Sequence, residues 1–175
     1  FDENIACDIR LNDALEHNLI VPFHYFGISD IQSIDYENID LRKIDLLAKL
    51  LSVNKRVDFI IDKMNFYSNS GNKRKVLGFC VSKEHCNFMS EEFNKKGINS
   101  ITLTSEDSIS KREDSIKRLE NENDSLEVIF TVDIFNEGID IPSINMVLFL
   151  RPTNSPIVFI QQLGRGLRKC KNKEF

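Results

Sequence analysis

The sequence predicts an α/β domain in which helices flank a mostly parallel sheet. Short apolar runs of strand length recur in the second half of the chain, at 76–81, 100–104, 126–130 and 146–150. Stretches with the apolar spacing of amphipathic helices separate these runs. Strands that alternate with helices favour a parallel sheet with right-handed crossovers. One sheet with helices packed on its faces is therefore expected.

Length and composition fit a single globular domain. The chain has 175 residues, 41% of them hydrophobic, and a formal net charge of -4. That charge excludes a global basic field for nucleic acid, although a local basic surface remains possible. The four cysteines lack the spacing of zinc or redox motifs, which predicts reduced thiols in a cytoplasmic protein. No apolar run approaches the ~18 residues of a membrane span, so no membrane partner is expected.

The first part of the chain reads as a lead-in. Residues 1–35 are predicted to pack on a domain formed by residues 36–175. A short helix is expected over 11–18. The apolar run 20–28 predicts a strand, and Pro22 near its start places that strand at an edge.

Apolar positions at helical spacing predict five helices after the lead-in. They cover 40–51, 54–67, 83–96, 109–119 and 156–168. Asp40 is the expected cap of the first of these helices. Gly97 is the expected end of the third, because glycine readily adopts the left-handed backbone that closes many helices.

Polar residues follow the predicted strands and are candidates for ligand binding. The carboxyl ends of parallel strands share one edge of a sheet, where ligands bind in such folds. Ser82-Lys83, Thr104-Ser105, Thr131 and the segment 151–155 should therefore lie along that edge. Ser82 also fits a simple helix cap, and a threonine at a strand end is unremarkable, so structural interpretations stay open here.

Two arginines near the end of the chain suggest a phosphate site. Arg165 and Arg168 are three positions apart, which places them on one side of a helix. Two guanidinium groups in that arrangement can clamp phosphate oxygens. A solvated basic helix end is the alternative. Upstream, Gly138 and Asp140 fit a turn that presents a carboxylate to a ligand, or else a plain surface turn ended by Pro142.

These residues together resemble two motifs of a known family. Gln161, Gly164, Arg165 and Arg168 fit motif VI of superfamily 2 (DEAD/DEAH-box type) helicases. Motif V of the same family is matched at Thr131, Gly138 and Asp140. The chain resembles the C-terminal RecA-like lobe of such enzymes, most clearly over 76–169. The resemblance implies a three-layer RecA-like domain.

The resemblance also implies roles for the matched residues. Arg165 and Arg168 would be catalytic arginine fingers that act on ATP phosphates. Gly138, Asp140 and Gln161 would bind ATP, with Asp140 accepting hydrogen bonds from the ribose. Contacts to nucleic-acid phosphates would come from four residues near strand ends: Ser82, Lys83, Thr104 and Thr131. The lobe would thus belong to an ATP-dependent helicase or translocase.

Half of the expected ATP site is missing from this sequence. There is no Gly-x-x-x-x-Gly-Lys-[Ser/Thr] loop and no Asp-Glu pair after an apolar strand. We expect ATP and Mg²⁺ to be held mainly by an N-terminal motor lobe of the same, longer protein, and this chain alone to be inactive. The lead-in "Ile-Val-Pro-Phe" resembles a segment between the two motor lobes of some DNA-acting superfamily 2 enzymes, a resemblance that favours DNA over RNA. The alternatives are a nucleotide-binding regulatory domain and an interaction module without motor activity.

Overall fold

The chain folds into six helices and four strands over the described residues. The computed structural model describes residues 11–30, 40, 42–68, 72–132, 141–153 and 155–170. The elements in chain order are α1 Leu11–Glu16, α2 Ile44–Leu51, α3 Asn54–Tyr67, β1 Val76–Phe79, α4 Lys83–Lys95, β2 Ser100–Leu103, α5 Ile109–Glu120, β3 Val128–Thr131, β4 Met146–Phe149 and α6 Pro156–Gly166.

The four strands form one sheet in the order β2-β3-β1-β4. All three pairings are parallel, which confirms the predicted α/β class. Val76 in β1 is in register with Val128 on one side and with Met146 on the other. Because the strands run the same way, the groups that follow them gather at one edge.

Apolar side chains fill both faces of the sheet and create three layers. On one face, α3 and α4 enclose a cluster in which the rings of Phe93 and Phe130 meet edge to face, with centroids 4.9 Å apart. On the other face, Leu119 of α5 packs with Leu77 and Ile129. The ring of Phe159 in α6 lies on this second face against Phe149. Strands covered on both faces explain the continuous apolar runs in the sequence.

Short polar residues define the helix ends. The Ser82 hydroxyl accepts the backbone N–H of His85 at 3.2 Å and caps α4. Ser108 and Ser155 cap α5 and α6 in the same manner. Gly97 has a φ of +80°, the left-handed backbone expected just beyond α4. The predicted end of α4 is therefore correct to within one residue.

Two predictions for the first part of the chain are wrong. The structure shows no strand at 20–28, where the backbone is irregular. Pro22 has no N–H for a strand ladder, and the N–H of Val21 is donated instead to the carbonyl of Leu167 at 2.9 Å. The helix expected from Asp40 begins at Ile44. The carboxylate of Asp40 accepts the N–H of Arg42 at 3.1 Å, so it is too early in the chain to cap α2.

No helix in the described part of the chain is long and apolar enough to cross a membrane. The described cysteines, Cys80, Cys86 and Cys170, are free thiols.

Candidate functional site

A surface pocket at the carboxyl end of α6 gathers all four matched residues of the arginine motif. It encloses about 490 Å³ and is lined by Ile160, Gln161, Gly164, Arg165 and Arg168. Pro156 in the first turn and the Ser155 cap start the helix. Helical spacing then brings Gln161, Gly164 and Arg165 to one side. Guanidinium and amide donors suit the oxygens of an anionic phosphate.

Close packing fixes the end of α6 beside β4. A β-carbon on Gly166 would lie 2.7 Å from Cγ2 of Val147, so only glycine fits at this contact. Leu167 follows, is buried, and donates its N–H to the carbonyl of Gly164 at 3.3 Å. Its own carbonyl accepts the N–H of Val21. Arg165 and Arg168 therefore flank a buried anchor point and are not on a fraying terminus.

A second group of candidates lies at the carboxyl edge of the sheet. Ser82 is buried and serves as the α4 cap, while Lys83 pairs with Glu106 in the loop after β2. The hydrogen bond to Glu106 raises the pKa of the Lys83 ammonium above its ordinary value. With about half of its side chain exposed, Lys83 presents a positive charge to solvent at this edge.

Thr104 and Thr131 are less accessible than the sequence suggested. The Thr104 N–H and hydroxyl both donate to Asp107, at 2.6 and 3.3 Å, which closes the turn after β2. Thr131 is the last residue of β3 and does not follow it; its side chain is fully buried. Its hydroxyl has no hydrogen-bond partner in the structure as described. Contact with a phosphate requires both side chains to become more exposed.

The predicted site residues thus form two groups, which lie near different ends of α6. Ser82, Lys83, Thr104 and Thr131 gather at the carboxyl edge. The arginine pocket is elsewhere, because α6 runs back along β4 from Phe149 towards Val147. An eleven-residue helix is about 16 Å long, which carries the arginines away from that edge. Gly138 and Asp140 lie outside the described residues.

Arg56 is a structurally central residue that the sequence reasoning missed. It is 5% exposed, donates from Nε to Asp30 at 2.7 Å and from Nη2 to the carbonyl of Leu150 at 3.3 Å. It thereby joins α3, the lead-in and the carboxyl end of β4. The signal was present, since Arg56 precedes Ile60 by four residues and Met64 by eight, on the apolar face of α3.

His85 is a second buried polar residue near the same edge. Its Nδ1 accepts the N–H of Val81 at 3.3 Å and so holds the backbone next to Ser82. Burial, with the nearby charge of Arg56, lowers the pKa of the His85 imidazole to about 4. This histidine is a neutral structural group at physiological pH.

Metal-binding side chains are not grouped in the described ranges. No cluster of three or more His, Cys, Asp or Glu there could hold a metal ion. Among the described residues, the lining of the arginine pocket includes no carboxylate, so these lining residues fit phosphate oxygens and do not fit Mg²⁺.

The family model and the relatives that match this chain agree on one family. The model of the "Helicase conserved C-terminal domain" matches residues 43–170. Over 128 residues the chain is 30% identical to the putative ATP-dependent helicase IRC3 of Saccharomyces cerevisiae, covering 73% of this chain and 18% of the yeast protein.

Two solved structures share the fold. The fragment structure of a putative HsdR subunit of a type I restriction enzyme from Vibrio vulnificus YJ016 has a TM-score of 0.57 at 21% identity, covering 76% of this chain and 26% of that one. The RNA helicase Prp28 from Chaetomium thermophilum, bound to ADP, has a TM-score of 0.55 at 20% identity, covering 69% of this chain and 28% of that one. The chain thus spans less than a third of each relative. With its parallel sheet, arginine pocket and family match over 43–170, the chain belongs to the helicase conserved C-terminal domain family.

Proposed function

We propose that this chain is the second motor lobe of an ATP-dependent helicase or translocase that acts on nucleic acid. The observation that carries the proposal is the pocket at the end of α6, where Arg165 and Arg168 line one concave surface with Gln161. A pure interaction module has no need for two guanidinium groups on one pocket.

Within the proposal, Arg165 and Arg168 stabilise negative charge on a phosphoryl group during its transfer. Their planar guanidinium groups donate in pairs to phosphate oxygens, and such a residue contributes roughly 1,000-fold or more to the rate in related chemistry. Gln161 orients the nucleotide beside them. Gly138 and Asp140, outside the described residues, remain the predicted ribose contact.

Bound ATP supplies the transferable phosphoryl group, and Mg²⁺ supplies the cation that neutralises its oxygens. Neither a phosphate loop nor a metal-binding carboxylate pair occurs in this sequence. We assign both functions to an N-terminal motor lobe of the same protein, against which the arginine pocket closes. This chain contributes the donors on the other side of the cleft.

The carboxyl edge of the sheet is the proposed binding surface for the nucleic-acid backbone. Lys83 at the start of α4 supplies a positive charge, and the first backbone N–H groups of this helix point toward the same edge. Ser82, Thr104 and Thr131 complete the proposed contacts once they become accessible. Backbone contacts of this kind carry little sequence information, which suits a protein that moves along a strand.

DNA is the proposed substrate, in a cytoplasmic protein. The apolar lead-in around Pro22 and the likeness to a restriction-enzyme subunit favour DNA, whereas Prp28 is named an RNA helicase. The test is the ATPase rate of the intact protein with single-stranded DNA or RNA of equal length. Stimulation by DNA well above that by RNA is expected. Absence of stimulation by either polymer would remove the motor function.

A further inference from the structure

The irregular segment 21–30, which we call the brace, joins the two helices that border β4. It contacts α6 at two places and α3 at two places. These contacts lie at both ends of the segment and at its middle, so the brace is attached along its length although it forms no strand.

Two contacts connect the brace to α6. The N–H of Val21 is donated to the carbonyl of Leu167 at 2.9 Å, and both residues are buried. The last carbonyls of a helix have no partner within the helix, so an external donor stops the final turn from fraying. Leu167 lies between the two arginines in the chain. Further along, the ring of Tyr25 meets the ring of Phe159 edge to face, with centroids 5.9 Å apart.

Two other contacts connect the brace to α3. The ring of Phe26 stacks on that of Tyr67 with centroids 3.9 Å apart. At the far end of the brace, Asp30 accepts from Arg56 at 2.7 Å, and the two side chains are only 18% and 6% exposed. Arg56 also donates to the carbonyl of Leu150. A partly buried pair with such geometry is screened less by salt than a surface pair.

We propose that the brace positions the arginine pocket, and that Asp30 and Arg56 are positioning residues for Arg165 and Arg168. Neither Asp30 nor Arg56 lines the pocket itself. The pair anchors one end of the brace to α3 and β4, and the other end then holds Leu167 in place. This inference rests on the proposed ATPase function. A displacement of about 1 Å at a reacting centre can cost 100-fold in rate, so a loosened anchor should reduce turnover.

The test uses Asp30→Asn in the intact protein, with Glu127→Gln as the matched control. Glu127 pairs with Arg74 at 2.6 Å and is also partly buried, but it has no contact with the brace. We expect Asp30→Asn to lower kcat of the stimulated ATPase by about tenfold with little change in the KM for ATP. The amide hydrogen of Val21 should also exchange faster. Glu127→Gln should change neither value, and Asp30→Glu should recover part of the loss.

Val21→Pro provides an independent variant if Asp30→Asn fails to fold. It removes the single N–H donated to Leu167 while it keeps an apolar side chain, and the same loss of kcat is expected. A normal kcat in Val21→Pro would overturn the inference. So would Asp30→Asn if the amide hydrogen of Val21 exchanged faster while kcat stayed normal. An equal loss of kcat in Glu127→Gln would do the same. Failure of the proposed function is seen separately, as an intact wild-type protein without ATPase activity, in which the brace has no pocket to position.

Discussion

Gly166 packs directly on Val147: a β-carbon at position 166 would stand 2.7 Å from Cγ2 of that valine. The contact joins the last turn of α6 to the second residue of β4. It sets the distance between the helix and the sheet at the point where the arginine pocket is built. For Gly164, two residues earlier, no described residue lies within 4 Å of where its β-carbon would be.

This difference predicts that a glycine-to-alanine substitution has opposite effects on stability at positions 164 and 166. Gly166→Ala should lower the free energy of unfolding by about 1–3 kcal/mol through overpacking. Gly164→Ala should raise it by up to ~1 kcal/mol, because alanine favours the helix. Denaturant unfolding measures both. Adding Val147→Ala to Gly166→Ala should restore part of the loss, and a Gly166→Ala variant as stable as the wild type would contradict the packing.

Loss of either pocket arginine should affect catalysis far more than folding. In the intact protein, Arg165→Ala and Arg168→Ala should each reduce the ATPase rate by roughly 1,000-fold, with much smaller changes in ATP affinity. Arg→Lys should rescue poorly, since an ammonium lacks the paired donors. Both side chains are partly exposed, so the melting temperature should change little. Normal hydrolysis by either alanine variant argues for a solvated helix end.

The Lys83–Glu106 pair should limit the affinity of the protein for nucleic acid. Glu106→Gln leaves Lys83 charged without its acidic partner, so the affinity for single-stranded DNA should rise several-fold. Lys83→Ala should weaken binding and reduce the slope of log K against log salt by about one. Fluorescence anisotropy over a salt series measures both values. Equal affinities for the wild type and both variants would place the nucleic acid elsewhere.

His85 should make stability depend on pH in the acidic range. Its folded pKa of about 4 lies below the ordinary value of about 6.5, so the unfolded chain binds the proton more readily. The stabilising contribution is therefore complete above about pH 6.5 and is lost as pH falls to about 4, by up to roughly 3 kcal/mol. Urea unfolding of the chain between pH 4 and 7 measures this loss.

His85→Asn is the control for that measurement. An asparagine oxygen can still accept the N–H of Val81, but the side chain no longer titrates. The variant should lose stability less steeply than the wild type between pH 6.5 and 4. Parallel curves would show that other groups cause the pH dependence.

The sequence predicted the α/β core well because its strands are buried on both faces. Runs such as 76–81 are continuous in apolar residues, and the helices between them keep a clear apolar stripe. The bounds of α3, Asn54–Tyr67, agree with the prediction. The prediction of a strand at 20–28 failed because the apolar residues of this segment pack singly on α3 and α6. Local sequence does not distinguish that pattern from a strand.

The candidate site was predictable where it depends on local spacing. Positions 161, 164 and 165 share one side of a helix for any such sequence. The predicted helix over 156–168 was too long, because α6 ends at Gly166, and Arg168 reaches the pocket from beyond the helix. Their distance from Ser82 and Thr104 was not predictable, because it depends on the direction in which α6 packs. The place of Arg56 on the apolar face of α3 was visible in the sequence, but its partner was not: Asp30 is 26 residues away, and the pair forms only in the folded chain.

The order of strands in the sheet also dictates when the domain can assemble. β1 lies between β3 and β4, so Val76 meets its partners only when Val128 and Met146 are in place. Folding rates fall as contacts become more distant in sequence. At about 5–20 residues per second of synthesis, β1 waits several seconds on the ribosome with both backbone edges unpaired. Of the four strands described, β1 waits longest for its partners, so its apolar surface and unpaired edges are exposed longest during synthesis.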